Sequence, residues 1–157
     1  MSRAWTRSTW VLCGLIVVAV VSTRWCRINL SPSVPYGLYR LVAVREPLAH
    51  GTLVVLPVPA SVQAWWSPWV PLLKPVAAIA GEAVCVADGT LWVKGVSYGP
   101  VLTHHHGQPL PHLDDCMVVP PGGVFVASQT PRSLDSRYFG VVPVATLIAQ
   151  AVPIVTW

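Results

Sequence analysis

Sixteen prolines occur in the 157 residues of the chain, and all of them follow residue 30. Proline lacks a backbone donor and clashes with the preceding turn of a helix, so it interrupts helices. Long helices are therefore disfavoured beyond residue 30, and short strands joined by fixed turns are favoured. The sequence predicts a mostly β domain.

The N-terminal end has the pattern of a membrane anchor. Residues 10–23 are uncharged and mostly apolar, and arginines at positions 3, 7, 24 and 27 flank them. A spanning helix needs about 20 apolar residues, so the run is slightly short, and a signal peptide has a similar basic start. Because Val20-Val21-Ser22 is a poor cleavage site, we favour an uncleaved anchor at 10–23. A short segment, 1–9, would precede it, and a folded domain, 24–157, would follow.

The composition indicates membrane association rather than nucleic-acid binding. Only 10% of the residues are charged, whereas a typical soluble domain has about 25%. Six of the ten Lys and Arg residues precede position 46, around the apolar run, so the formal charge of +4 is best explained as a topology signal. We therefore expect a lipid bilayer, and no nucleic acid, among the partners.

Several apolar, β-branched segments predict strands, and one dipeptide predicts a hairpin. Asp88-Gly89 joins two such segments as a tight two-residue turn. The last 17 residues, 141–157, carry no charge, and they suit either terminal strands or a second membrane span; their two prolines favour strands. The other predicted strands are 39–44, 52–56, 84–87, 90–94, 117–119 and 123–127.

Residues 29–40 place two serines in a stiff, turn-prone segment directly after the apolar run. Pro32 lies between Ser31 and Ser33, and Pro35 follows two residues after Ser33. Proline fixes φ, so such a segment can hold hydroxyl groups in defined positions. The segment can also be explained as a proline-rich linker that follows an anchor.

Lys74 is the only charged residue between Glu46 and Glu82. It could be a surface lysine whose apolar stem lies along the protein while its ammonium reaches water. It could instead be buried, which would lower its pKa and leave a neutral amine able to act as a general base.

Three further groups of side chains have two interpretations each. Cys85 and Cys116 could form a disulfide in a periplasmic domain or serve as small buried apolar residues. Residues 65–69 contain three tryptophans that could pack on the core or form an aromatic patch at the lipid headgroups. Residues 104–106 are three consecutive histidines; their spacing matches no zinc pattern, so we interpret residues 101–111 as a polar loop and expect no metal.

Three stretches resemble, in order, the sequence boxes of type I signal peptidases. Ser31-Pro32-Ser33-Val34-Pro35 resembles the serine box, 74–82 resembles K-R-V-x-x-x-P-G-D, and 133–143 resembles S-x-D-S-R-Y-W/F-G-x-V-P. Within this Ser-Lys superfamily, peptidase family S26, the G-L-Y-R after the serines and the closing A-V-P-I-V-T-W are similar to the conjugative-transfer peptidases called TraF. The resemblance implies compact, barrel-like coiled β-sheets with one N-terminal transmembrane helix.

The resemblance also implies roles for the residues of the serine and lysine boxes. Ser33 matches the nucleophile and Lys74 matches its general base, a variant of the triad chemistry. The hydroxyl of Ser31 and the backbone N–H of Ser33 match the oxyanion hole.

The third box implies supporting residues. Ser133 matches the hydroxyl that orients the lysine, and Asp135 and Arg137 match a pair that braces the site. Without the resemblance, Asp135 and Arg137 could be a local ion pair in a surface turn. The chain departs from the family boxes at Val34, Pro75, Ala80 and Glu82. These departures bear on substrate specificity more than on the chemistry of cleavage.

The implied function is a membrane-anchored serine endopeptidase of the signal-peptidase type. It would process a secreted or pilin precursor for conjugative transfer through an acyl-enzyme, with or without joining the new ends into a ring. It would need no cofactor, and it would lie in the bacterial inner membrane as a single-pass protein facing the periplasm. Two alternatives are a non-catalytic anchored β-domain that scaffolds the conjugative secretion apparatus and a metal-dependent peptidase that uses the histidines at 104–106.

Overall fold

The computed structural model describes residues 25–157, and the anchor predicted at 10–23 lies outside this range. The described part is mostly β, as the prolines predict. Between residues 25 and 157 there is no helix with the length and apolar character needed to cross a bilayer. The strands are β1 (Cys26–Asn29), β2 (Gly37–Val42), β3 (Leu53–Leu56), β4 (Leu72–Ile79), β5 (Ala83–Ala87), β6 (Thr90–Val93), β7 (Val96–Pro100), β8 (His104–His105), β9 (Gln108–Pro109), β10 (Met117–Val118), β11 (Gly123–Val126), β12 (Val142–Pro143) and β13 (Ala149–Thr156).

The strands form three sheets in which every pair is antiparallel. The largest has seven strands in the order β1-β2-β13-β3-β4-β11-β12. A four-stranded sheet has the order β10-β5-β6-β7, and β8 and β9 form a separate hairpin. Because β1 and β12 are free edges of the large sheet within the described range, the strands there form open sheets and no closed barrel.

Between residues 26 and 157, helical structure is limited to short turns. One α-helical turn spans Ser136–Phe139, and 3-10 turns span Ala60–Val62 and Val144–Thr146. The side chain of Asp135 caps the α-helical turn by accepting the backbone N–H of Arg137. Asx side chains at helix N-termini commonly satisfy such donors.

Local signals identified the hairpin and the last strand. β5 and β6 are joined by Asp88-Gly89, both with positive φ, and Ala87 pairs with Thr90. The uncharged tail forms β12 and β13, which confirms terminal strands for 141–157. The prediction that 101–111 is all loop was wrong, because β8 and β9 form a hairpin inside it; their residues are exposed, so no apolar pattern marked them.

Two clusters of buried side chains hold the sheets together. The main core lies around β4, β11 and the four-stranded sheet and includes Val54, Phe125 and Leu91. A smaller cluster between β2, β3 and β13 includes Val34 and Tyr39. A disulfide joins Cys85 on β5 to Cys116, just before β10. The turn between β1 and β2, which contains Ser31 and Ser33 and is called the serine turn below, packs on the smaller cluster through Val34. Strand β4, which carries Lys74, packs on the main core.

Candidate active site

The two serines lie in the turn between β1 and β2. Asn29 pairs with Gly37 at the end of this strand pair, and the seven residues between them form the turn. The Asn29 side chain is buried, and its amide nitrogen lies 2.8 Å from the Ser31 carbonyl oxygen, 3.0 Å from that of Val34 and 3.1 Å from that of Pro35. Its carbonyl oxygen accepts the backbone N–H of Ser31 at 3.2 Å. One buried amide therefore fixes the shape of the turn around Ser33.

The lysine lies in the middle of β4, opposite Val54 of β3. Because side chains alternate along a strand, Lys74 points to the same side of the sheet as Leu72 and Val76, which are buried in the main core. Only 4% of Lys74 is exposed. The alternative that Lys74 is a surface lysine reaching water is therefore wrong.

Three polar atoms meet at this point. The Lys74 Nζ lies 2.6 Å from the Ser33 Oγ and 2.8 Å from the Ser133 Oγ, and the two hydroxyl oxygens are 3.2 Å apart. These residues are separated by 41 and 59 positions in sequence. The fold thus brings one residue from each of the three sequence boxes within hydrogen-bonding distance.

The surroundings of Lys74 favour its neutral form. Burial lowers the pKa of Lys74 to about 8; Asp135 acts in the opposite direction, and Arg137 lowers the pKa further. None of the ion pairs formed by residues 25–157 includes Lys74. A substantial share of the amine is therefore unprotonated in mildly alkaline solution.

Asp135 and Arg137 form a buried ion pair, so the alternative of a local ion pair in a surface turn is wrong. Both side chains have 0% exposure. The Arg137 Nε donates to Asp135 Oδ1 at 2.8 Å, and a terminal nitrogen donates to Oδ2 at 3.1 Å. Arg137 also donates to the carbonyl oxygens of Ser128 and Pro100. The pair is satisfied by hydrogen bonds, as buried charges must be.

A chain of hydrogen bonds connects this ion pair to the serine turn. Asp135 accepts the backbone N–H of Ser128 at 3.1 Å. The Ser128 hydroxyl donates to Thr130 Oγ1 at 3.1 Å, and that hydroxyl donates to the Pro32 carbonyl oxygen at 2.9 Å. The turn is therefore held from outside through Pro32, as well as from inside by Asn29.

The hydroxyl of Ser31, matched to the oxyanion hole, does not contact Ser33 or Lys74 in any hydrogen bond of the described residues. It donates to the Asn29 side-chain oxygen at 2.9 Å. The Ser33 N–H has no hydrogen-bond acceptor among residues 25–157. The backbone donor is thus available to a bound group, and the Ser31 hydroxyl would have to turn away from Asn29 to reach the same group.

A match to a family model decides the family. The model described as "Signal peptidase, peptidase S26" covers residues 2–157. The chain belongs to the S26 family of signal peptidases.

Curated relatives cover nearly the whole S26 chain. A conjugal transfer protein TraF of Agrobacterium fabrum is 33% identical over 94% of this chain and 90% of its own length. A second, of Agrobacterium tumefaciens, is 35% identical over 90% and 88%. A probable conjugal transfer protein TraF of Sinorhizobium fredii is 32% identical over 91% and 85%.

A solved structure is also similar to this S26 chain. It is a signal peptidase I of Enterococcus faecalis V583, with 24% identity and a TM-score of 0.43. The match covers 69% of this chain and 98% of that one.

The residues that depart from the family boxes are not among the three side chains that meet at Lys74. Val34 is buried in the smaller core below the serine turn. Pro75 follows the lysine on β4, and its carbonyl oxygen accepts the Ala127 N–H. Glu82 lies at the turn after β4, where it accepts the backbone N–H of Ile79 and pairs with Lys94. The contacts of these residues are structural, and their bearing on specificity stays a prediction.

An open cleft of about 840 Å³ surrounds the two serines of the turn and Lys74. Trp65 and Trp66 line one part of it, and the histidines at 104–106 line another. Trp65 packs against the main core, which fits the first of the two interpretations, whereas Trp69 is 89% exposed. Within residues 25–157 no three metal-ligating side chains are grouped.

Sequence reasoning missed the residues that hold the turn. Asn29 was treated only as the first residue of the proline-rich segment, and Ser128 and Thr130 were not singled out. An Asn two residues before a Ser is a weak local signal, because Asn often bonds to nearby backbone in turns. Nothing local to Ser128 or Thr130 indicates a contact with Pro32, about 100 residues away.

Proposed function

We propose that the chain is a membrane-anchored serine endopeptidase of the signal-peptidase type, with Ser33 as nucleophile and Lys74 as general base. The observation that carries the proposal is the 2.6 Å contact between the Lys74 Nζ and the Ser33 Oγ in an apolar setting. A nucleophile and a base within hydrogen-bonding reach, with the base oriented by a third group, is the pattern that covalent catalysis requires. Membership of the S26 family supports the same reaction class.

The proton inventory of Lys74 agrees with these roles. A neutral amine has one lone pair and two N–H donors. The lone pair can accept the Ser33 proton while one N–H donates to the Ser133 Oγ, 2.8 Å away. Ser133 is then a positioning residue that fixes the direction of the lone pair.

The reaction proceeds through an acyl-enzyme. As Ser33 Oγ attacks the scissile carbonyl carbon, its proton moves to Lys74, and the C–N bond then breaks as the ammonium returns a proton to the leaving amine. Water, or the amine of a second chain end, next attacks the Ser33 ester and releases the enzyme. Attack by an amine would join two ends, so the same intermediate serves hydrolysis and ring closure.

The oxyanion formed in each step needs donors beside Ser33. The free Ser33 N–H is one, and the Ser31 hydroxyl is the second if it rotates from Asn29 to the substrate. One such donor typically contributes about 2.7–4 kcal/mol to the lowering of the barrier.

The substrate class follows from the relatives, which are named conjugal transfer proteins. We propose a pilin or other secreted precursor as substrate, and the conjugative apparatus as a further partner. The anchor at 10–23 would place the catalytic domain on the periplasmic face of the inner membrane, where a disulfide such as Cys85–Cys116 persists.

The test is to co-express the full chain with the candidate pilin precursor from the same transfer region and to measure the product by mass spectrometry. Intact mass separates uncut, cut and ring-closed products in one measurement, because ring closure removes one water relative to the cut chain. We expect a processed product with the native chain and only the uncut precursor with Ser33→Ala or Lys74→Ala.

The same measurement tests the alternatives. A scaffold would support transfer equally well with Ser33→Ala, so normal processing in that variant would reject the peptidase. A metal-dependent peptidase would lose activity with a strong chelator while tolerating Lys74→Ala.

A further inference from the structure

The cleft that contains the two serines and Lys74 has an unbalanced charge. Its lining includes Arg27, Arg132 and the histidines at 104–106, but no Asp or Glu among the described residues. Its volume, about 840 Å³, is in the range of pockets that enclose sizeable ligands. A cleft lined by charge of one sign, with apolar walls, concentrates ligands of the opposite sign.

The first of the two arginines is a half-buried cation without an anionic partner. The Arg27 guanidinium donates to the Pro71 carbonyl oxygen at the cleft wall. No carboxylate of residues 25–157 pairs with it. Burial lowers the pKa of Arg27, which shows that its charge is poorly solvated there. A bound carboxylate would compensate this charge better than a neutral carbonyl does.

The second arginine lies next to the reacting groups in sequence. Arg132 is exposed, and it directly precedes Ser133, whose hydroxyl contacts Lys74. It too is outside the ion pairs formed by the described part of the chain. Arg27 and Arg132 line the same cleft as Ser33, and an extended peptide bound there would present a side chain about every 3.3 Å along it.

We propose that this cleft selects substrates by a carboxylate side chain, Asp or Glu, within about three residues of the scissile bond, and that Arg27 and Arg132 recognise it. This inference rests on the proposed function, because it assigns the cleft to a peptide substrate. The histidines at 104–106 add ring N–H donors to the same lining. Arginine suits this role, because its planar fork matches both oxygens of a carboxylate.

The experiment measures binding first, so that it does not depend on cleavage. Full-length Ser33→Ala chain in detergent micelles is titrated with fluorescent ten-residue peptides that carry Ala before the expected cut. At each of the three positions on either side of the cut, a Glu peptide is compared with its Gln counterpart. We expect Glu to bind about threefold to tenfold more tightly at one or two positions in low salt, and the preference to shrink in 0.5 M NaCl.

Arginine variants in the Ser33→Ala background test which residues recognise the carboxylate of the peptide. Arg132→Gln and Arg27→Gln should each reduce the Glu-to-Gln ratio towards one. Arg132 is exposed, so its replacement leaves packing undisturbed even if Arg27→Gln folds poorly. Arg45→Gln removes the same charge from an exposed position outside the cleft and should keep the ratio.

Two results would overturn the inference. One is equal binding of Glu and Gln peptides at all six positions. The other is a ratio that neither cleft arginine changes, together with weaker binding of Arg27→Gln to phosphatidylglycerol vesicles, which would assign the arginines to lipid phosphate instead. Cleavage of the same peptides by the native chain tests the peptidase separately, so the two failures are distinguishable.

Discussion

Replacing Lys74 with Met should change how the free energy of unfolding depends on pH. Burial lowers the pKa of Lys74 to about 8 from 10.5 in an unfolded chain. Below about pH 8 both states hold the proton, and the folded state carries a charge that its surroundings disfavour. Between pH 8 and 10.5 the unfolded state binds more protons than the folded state, so stability rises with pH.

The size of the effect follows from the shift. A difference of this size between the folded and unfolded pKa changes the free energy of unfolding by about 3 kcal/mol over the full titration, since each pKa unit corresponds to about 1.4 kcal/mol. Between pH 7 and pH 10 we therefore expect native stability to rise by about 2 to 3 kcal/mol relative to Lys74→Met, which has no proton to lose. The absolute difference at pH 7 is less informative, because Met also removes the hydrogen bonds to Ser33 and Ser133, worth about 1 kcal/mol each.

The assay is urea unfolding of both chains at pH 7, 8, 9 and 10, compared at each pH. Titration of all other groups is common to the two chains and cancels in the difference. Lys94→Met is the matched control, because the Lys94 side chain is more than half exposed and its ammonium pairs with Glu82 at the surface. Parallel curves for the native chain and Lys74→Met would refute a buried amine with a lowered pKa, and with it the proposed general base.

Three further changes test the support of the site. Asp135→Ala leaves Arg137 buried without its counter-ion and should cost about 3–5 kcal/mol of stability in a denaturant titration; a loss below 1 kcal/mol would contradict a buried pair. Gly37→Ala places a Cβ against the Val155 carbonyl oxygen, closer than van der Waals contact allows, so β2 and β13 must separate at a cost of about 1–3 kcal/mol, seen as a lower Tm. Asn29→Ala frees the serine turn and should lower kcat by about tenfold to a hundredfold with little change in KM; an unchanged kcat would show that the turn keeps its shape without the amide.

Local chemistry made part of the fold predictable. Asp88-Gly89 indicated its hairpin because both residues tolerate positive φ, and the two prolines of the tail indicated strands rather than a membrane span. β1 was missed because Cys26–Asn29 continues the flank of the apolar run, and its pairing with β2 depends on a turn with no standard signal. β4 was recognised only as an apolar run, since buried strands lack the polar alternation that marks half-exposed ones.

The reacting groups could be predicted from sequence motifs, whereas the residues that hold them in place could not. Ser33, Lys74 and Ser133 could be named from three boxes, but their distances depend on the pairing of β3 with β4 and on the turn that Asn29 holds. The burial of Asp135 and Arg137 also depends on contacts with the carbonyl oxygens of Ser128, nine residues from Arg137, and of Pro100, which lies 37 residues away at the end of β7. Such contacts leave no periodicity in the sequence.

The position of β13 has a consequence for when the proposed active site assembles. β2, which leaves the serine turn, and β3, which pairs with the lysine strand, do not pair with each other; β13 lies between them. A chain emerging from the ribosome therefore exposes its serine and its lysine long before the strand that joins their halves of the sheet. The contact between Ser33 and Lys74 can therefore form only after β13 has been synthesised, so the proposed peptidase would be inactive on a chain that is still being made.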